Sequence, residues 1–210
     1  MQQYRILPAV IAQTQEELDH LLSRIEGLFD WVMLDFMDGV FVPTSSLQFD
    51  FKLPRSFKYE AHLMVNQPKG YLLRLKNCVE TVILHVESKG FKTALKEARL
   101  LGFEVSAAIN PSTKLSKILA HISELDRILV MTVEPGQYGA PFVPISLKKV
   151  REIRNVAPNI PIEVDGAMNP ETIKLAKDAG ASIFASGSYL MKSPDISKAK
   201  RTLVSAILDG

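Results

Sequence analysis

The 210-residue chain carries 25 basic and 23 acidic side chains, a formal net charge of +2, and 47% hydrophobic residues. That is enough apolar material for one substantial core, and the dispersed charge offers no Lys/Arg cluster suited to a nucleic-acid backbone. The single cysteine, Cys78, excludes an intramolecular disulfide, and no apolar run approaches the length of a membrane span. With an N-terminal "MQQYRILPAVIAQTQEE" that lacks both a basic leader and a long apolar stretch, the chain reads as a soluble, cytoplasmic protein. It is expected to form one domain over residues 1–210, with no nucleic-acid or membrane partner.

Short apolar runs alternate with helical patterns from end to end. The first strand is "RILPAVI" (5–11), followed by a T-x-x-E capping box, Thr14 with Glu17, ahead of "ELDHLLSRI". The second strand is "WVMLDF" (31–36), and the connection after it, "SSLQFDFKLPRS", has a weak helix signal. "YEAHLMV" (59–65) and "TVILHV" (81–86) come next, then "TALKEARLLG", with Gly102 at the expected helix end. "EVSAAI" (104–109) leads into the weakly helical "STKLSKILAHIS", and "RILVMTV" (127–133) into "SLKKVREIRNV", whose 3.6-residue period leaves a basic outer face. "IPIEV" (160–164) precedes "PETIKLAKDAGA", opened by Pro170 and closed by Gly180, and the last strand is "SIFAS" (182–186).

Continuously apolar strands suit a parallel sheet covered on both faces. Eight strand-plus-helix units, about 26 residues each, predict a (β/α)8 TIM barrel. A doubly wound open sheet yields the same alternation and is the competitor.

Polar residues recur where the strands end. In order these are Asp35 and Asp38, His62, His85 and Glu87, Asn110, Glu134 with Gly136 and Gly139, Asp165-Gly166, and Gly187-Ser188. In a barrel these ends share one mouth, where such enzymes build their sites. Asp35 lies inside an apolar run, where an unpaired carboxylate is costly to bury, so it requires a cation, a metal or a proton; the same holds for Asp165. Asp38, before Gly39, either serves the site or makes the turn. His62 is either a ligand or a satisfied core histidine. Glu87 and Glu134 read equally as site or surface residues, and His20 and His121 as solvated helix residues. "EPGQYGAPF" (134–142), "DGA" (165–167) and "ASGSYLM" (185–191) offer backbone N–H groups suited to a phosphorylated ligand.

Two carboxylates reaching a barrel mouth from the second and seventh strands suit proton removal from one face of a carbon and delivery to the other. An ordinary carboxylate is a feeble base toward a C–H beside a ketone, so the enediolate needs stabilising. Asp35, His62 and Asp165 can supply that by holding a divalent metal through two oxygens and an imidazole nitrogen.

At this point the chain resembles the ribulose-phosphate 3-epimerase family. The resemblance rests on "DFMDGVFVP" (35–43), "HLMV" (62–65), "INPST" (109–113), "VMTVEPGQYGAPFVP" (130–144), "EVDGAM" (163–168) and "FASGS" (184–188), in family order. It implies a barrel of the ribulose-phosphate-binding type, interconverting D-ribulose 5-phosphate and D-xylulose 5-phosphate or acting on a related ketose phosphate. It implies Asp35 and Asp165 as acid/base residues and metal ligands, His62 as a further ligand, and Zn, Mn or Fe as the metal. Substrate and phosphate contacts are expected from His62, Met64, Gly136, Gly139, Gly166, Gly187 and Ser188, and a homo-oligomer is implied. The chain departs from the family pattern at Met33, where another metal-binding histidine is usual, and at Ala9, Val40, Ala167, Glu60 and Glu134. Tyr138 and Pro141, with Val40, would reshape the pocket. Two other readings compete. One is a decarboxylase/synthase barrel, whose D-x-K-x-x-D motif is here "DFMD" without the lysine. The other is a non-catalytic sugar-phosphate binder.

Overall fold

The computed structural model of the chain describes residues 4–136 and 139–208. Among the described residues, nine strands form one sheet: β1 (Arg5–Val10), β2 (Trp31–Asp38), β3 (Ser45–Ser46), β4 (Lys58–Met64), β5 (Thr81–His85), β6 (Glu104–Ile109), β7 (Arg127–Met131), β8 (Ile162–Asp165) and β9 (Ile183–Ser186). All but β3 run parallel, and β1 pairs with β9 on one side and β2 on the other, which closes an eight-stranded barrel. The closure rules out the open doubly wound sheet. β3 is a two-residue antiparallel addition to the end of β2.

The strands are apolar throughout because both faces are covered. Alternate residues such as Leu7, Met33, Ile83, Leu129 and Ala185 fill the barrel. Their neighbours, Leu34, Phe36, Val82, Ile128 and Phe184 among them, pack outward against the helices. This period of two settles which polar residues enter the barrel: Asp35 shares a face with Met33, and Asp165 with Glu163.

The helices are α1 (Gln15–Ser23), α2 (Lys69–Leu75), α3 (Phe91–Leu100), α4 (Ser116–Leu119), α5 (Ser146–Val156), α6 (Pro170–Ala179), α7 (Ser188–Met191) and α8 (Ile196–Leu208). Thr14 caps α1 by accepting the Glu17 N–H, while the Glu17 carboxylate reaches back to the N–H of Gln13. Asn169 and Thr172 form a full capping box on α6, which begins at Pro170 and ends at Gly180. The second connection departs from the expected strand-plus-helix unit, since residues 47–57 contain no helix. Leu47, Phe49, Phe51 and Leu53 turn inward at alternate positions, and Phe51 packs against Phe36 with ring centroids 5.6 Å apart. Aromatic side chains thus cover the barrel where a helix would otherwise lie. The fifth connection holds only the single turn α4 and a 3-10 turn over Ile122–Glu124.

Candidate active site

Asp35 and His62 stand opposite each other in the β2–β4 register, and Asp165 ends β8. His62 Nδ1 lies 3.0 Å from Asp35 Oδ1 and 3.6 Å from Asp165 Oδ2. His62 is fully buried, and Asp35 and Asp165 are 4% and 8% exposed. Burial, reinforced by the negative charge of Glu163, pushes the Asp35 carboxyl up to about 8. Burial and then Asp35 push Asp165 up to about 7, against a partial pull from His62. The His62 imidazole is pushed below its ordinary value by the same burial. Without a cation, this cluster retains protons at neutral pH.

The retained protons set the sign of a pH dependence. A carboxyl whose folded pKa is raised contributes stability at low pH that is lost as pH rises through the folded value. Burial of neutral His62 and His85 acts in the opposite direction, but mostly below about pH 7. EDTA-treated protein is therefore expected to show a lower urea midpoint at about pH 9 than at about pH 7. A midpoint that rises over this interval would contradict the assignment.

The other strand-end residues divide. Asp38 makes the turn: its carboxylate accepts the N–H groups of Val40, Phe41 and Asn66 at 2.9, 2.8 and 2.6 Å. Burial opposes its ionised form, but these donors outweigh it and hold the group below the usual carboxylate range. His85 and Glu87 lie next to the cluster, since His85 Nε2 is 2.9 Å from His62 Nε2 and His85 Nδ1 is 3.3 Å from Glu87 Oε2. The Asn110 backbone donates to Glu87, and Glu134 is exposed. His20 is exposed as expected, whereas His121 is only partly so, with its ring against Phe91 and its Nδ1 2.8 Å from Glu124.

A cavity of about 50 Å³ sits directly on the acids, lined by Asp35, Asp165, Met37, Met64 and Met131 and by Gly136, Gly139, Gly166, Gly187 and Ser188. The glycine-rich segments and the two acids thus reach one mouth, and Ala9 lines it too. Tyr138 lies outside the described residues, and Val40 points to solvent at 72% exposure. A larger cavity of about 960 Å³ is lined by Arg5, Trp31 and Arg154 and contains neither acid.

Two glycines are required by close approach. Gly136 and Gly166 have φ of +99° and +114°, and a Cβ would stand 2.6 Å from Val42 and 2.4 Å from Val133, respectively. Gly166→Ala is expected to cost at least about 1–3 kcal/mol of stability from backbone strain, with the clash in addition. Adding Val133→Ala should recover part of the loss in chemical denaturation, and no recovery would show that the clash is unimportant.

Sequence reasoning missed what lies two residues below the acids. Arg127 spends all its donors inside the barrel: Nη1 reaches Glu60 at 2.6 Å and Glu163 at 3.0 Å, Nη2 reaches Thr81 and Glu104, and Nε reaches Glu104. Glu60 Oε1 and Glu163 Oε1 are buried with no other partner. Burial, and then the nearby Glu163, push Glu60 well above the usual carboxylate range, against a partial pull from Arg127. The available signal was spacing, because Glu60 and Glu163 each precede a site residue by two positions and share its face.

The ribulose-phosphate 3-epimerase family model matches residues 4–191. Ribulose-phosphate 3-epimerase of Schizosaccharomyces pombe is 31% identical over 93% of this chain and 91% of its own length. The chain belongs to the ribulose-phosphate 3-epimerase family. The protein of the same name from Methanocaldococcus jannaschii is 30% identical over 97% of this chain and 89% of its own. Among solved structures, KGPDC from Streptococcus mutans superposes with a TM-score of 0.71 at 10% identity, covering 99% of both chains. The 3-hexulose-6-phosphate synthase of Salmonella typhimurium gives 0.70 at 13% identity, covering 98% of this chain and 99% of that one. At such identities these likenesses carry the fold alone.

Family membership brings the metal question to the three-residue cluster. One ligand atom each from Asp35, His62 and Asp165 lies within 4.8 Å of the others. Two desolvated carboxylates need a cation or protons beside them, and carboxylate with imidazole suits a divalent ion. The residues therefore fit such an ion. Met33, at the family's histidine position, is fully buried among Leu7, Ala9 and Leu129 in the barrel interior. Its soft thioether adds packing there and is a poor partner for such a metal. Ala167, at a family glycine position, holds a left-handed φ of +53°, which costs about 1–2 kcal/mol in a residue with a Cβ.

Proposed function

We propose that the protein is a sugar-phosphate 3-epimerase that interconverts D-ribulose 5-phosphate and D-xylulose 5-phosphate, with Asp35 and Asp165 as its acid/base pair. The observation that carries this reading is the pair itself: two buried carboxyls, from β2 and β8, raised to about 8 and about 7 beside one imidazole. A two-sided proton transfer needs one carboxyl ionised and the other protonated, and two neighbouring carboxyls can divide these roles.

In the forward direction the ionised aspartate takes the C3 proton, and the electron pair moves into the enediolate. The protonated aspartate then returns a proton to C3 from the opposite face, leaving the pair with its protonation states exchanged. Met37, Met64 and Met131 around the acids supply a pliable apolar wall that limits water at the carbanionic carbon. Asp35, His62 and Asp165 would hold a divalent metal of the Zn, Mn or Fe type. When bound, it supplies positive charge that lowers the cost of the developing negative charge. The substrate phosphate would lie against Gly166, Gly187 and Ser188, where the loops after the last two barrel strands meet the short helix α7, the frequent phosphate position of such barrels. The exposed thiol of Cys78 favours the reducing cytoplasm as its compartment.

The test is proton NMR in D2O with D-ribulose 5-phosphate, run with EDTA and then with added Zn²⁺, Mn²⁺ or Fe²⁺. Deuterium entry at C3 with appearance of D-xylulose 5-phosphate is the expected result. Absence of both under every condition, with ligand-induced thermal stabilisation retained, would favour the non-catalytic binder that Met33 motivates.

A further inference from the structure

His62 meets a second imidazole on the side away from the acids. The two rings approach through their Nε2 atoms at 2.9 Å, with planes 18° apart, and both side chains are fully buried. His85 continues through Nδ1 to Glu87 Oε2 at 3.3 Å, and Glu87 Oε1 accepts the Asn110 backbone N–H at 2.9 Å. The chain runs from the acid pair to the partly exposed Glu87 at the barrel rim.

Each link constrains the next. A neutral imidazole carries one N–H, so a contact between two ring nitrogens needs one donor and one acceptor. Glu87, already accepting from Asn110, can offer His85 only an acceptor while ionised, so His85 must place its proton on Nδ1. His85 Nε2 is then a lone pair, and the proton between the rings belongs to His62 Nε2. That leaves the His62 lone pair on Nδ1, facing Asp35 Oδ1 and Asp165 Oδ2. The reverse arrangement would set the His85 Nδ1 lone pair against the Glu87 carboxylate. Burial keeps both rings neutral, in agreement with this chain.

We infer that His85 and Glu87 are positioning residues that lock His62 as the Nε2–H tautomer, so that its Nδ1 lone pair points into the space between Asp35 and Asp165. The consequence for metal binding rests on the reading of that space as a cation site; the tautomer does not. An imidazole held in this way is an oriented metal ligand, and outer partners of this kind commonly change metal affinity by about 10- to 100-fold.

Glu87→Gln tests the relay with little change in shape. Its amide oxygen is needed by the Asn110 N–H, so its NH2 turns to His85 Nδ1. Both hydrogen bonds then reverse, and the His62 proton moves to Nδ1. Long-range ¹⁵N–¹H spectra of ¹⁵N-histidine-labelled, metal-free protein read the tautomer directly, with only four histidines to assign. The expected result is an Nε2–H His62 in the wild type, Nδ1–H in Glu87→Gln, and a Kd for Mn²⁺, from the EPR signal of the free ion, about 10- to 100-fold weaker in the folded variant. An Nδ1–H His62 in the wild type would overturn the proposal, and that spectrum decides it even if the variant fails to fold. A folded variant with the wild-type tautomer and an unchanged Mn²⁺ Kd would overturn it as well. A wild type with the Nε2–H tautomer that binds no Mn²⁺ would uphold the relay and overturn the metal reading alone.

Discussion

Asp165→Asn is expected to lower kcat for epimerisation by about 10²–10⁴-fold, the range of a positioned acid/base group, with Mn²⁺ and substrate both at saturation. Asp35→Asn should fall by a similar factor. The two losses differ in which epimer still exchanges. Each variant keeps one carboxyl, which addresses one face of C3, so each should retain deuterium exchange with one of the two pentulose phosphates and lose it with the other. The pattern is expected to be complementary between the variants. Stability should not fall with activity, because each substitution removes the mutual repulsion that helps raise Asp165 and leaves a neutral group of the same shape. Equal exchange of both epimers by either variant would remove the two-carboxylate mechanism. A collapse in Tm parallel to kcat would mean that the acids serve the fold rather than the reaction.

Arg127→Met is expected to destabilise the protein by about 3–5 kcal/mol at neutral pH, the cost of breaking a buried ion pair from one side. The guanidinium holds Glu60 and Glu163 together at 2.6 and 3.0 Å in the barrel interior, and a thioether offers them nothing. Glu60→Gln is the contrasting case. Glu60 sits well above the usual carboxylate range through burial and the nearby Glu163, so an amide mimics its protonated state, and the change should stay within about 1 kcal/mol. Urea denaturation of both variants at neutral pH checks the pair of values. A large loss for Glu60→Gln would show that Glu60 is ionised in the folded protein.

The two networks are stacked along the barrel axis, and that explains how much of each was legible. Asp35 and Asp165 stand out in the sequence because a lone carboxylate in an apolar run signals a local conflict between burial and charge. The conflict can be seen without knowing what resolves it. Arg127 opens a strand, where a charged residue passes as an ordinary boundary. Only its distant partners, Glu163 and Glu60, the latter 67 positions away, reveal it as interior. His85 was legible as a strand-end residue, but its contact with His62 follows from the register between β4 and β5.

The sequence by itself determined the positions of the barrel strands, their parallel character and the set of polar strand ends, because the period and continuity of apolar residues are set by local backbone geometry and by which faces are covered. In the second connection, the alternation of Leu47, Phe49, Phe51 and Leu53 was likewise present, but the strand-plus-helix rhythm of the rest of the chain masked it. Closure of β1 onto β9, the clustering of two carboxylates around one imidazole, and the need for glycine opposite Val42 and Val133 were decided only by tertiary structure. These depend on stagger between strands and on contacts across long separations, which no local pattern encodes.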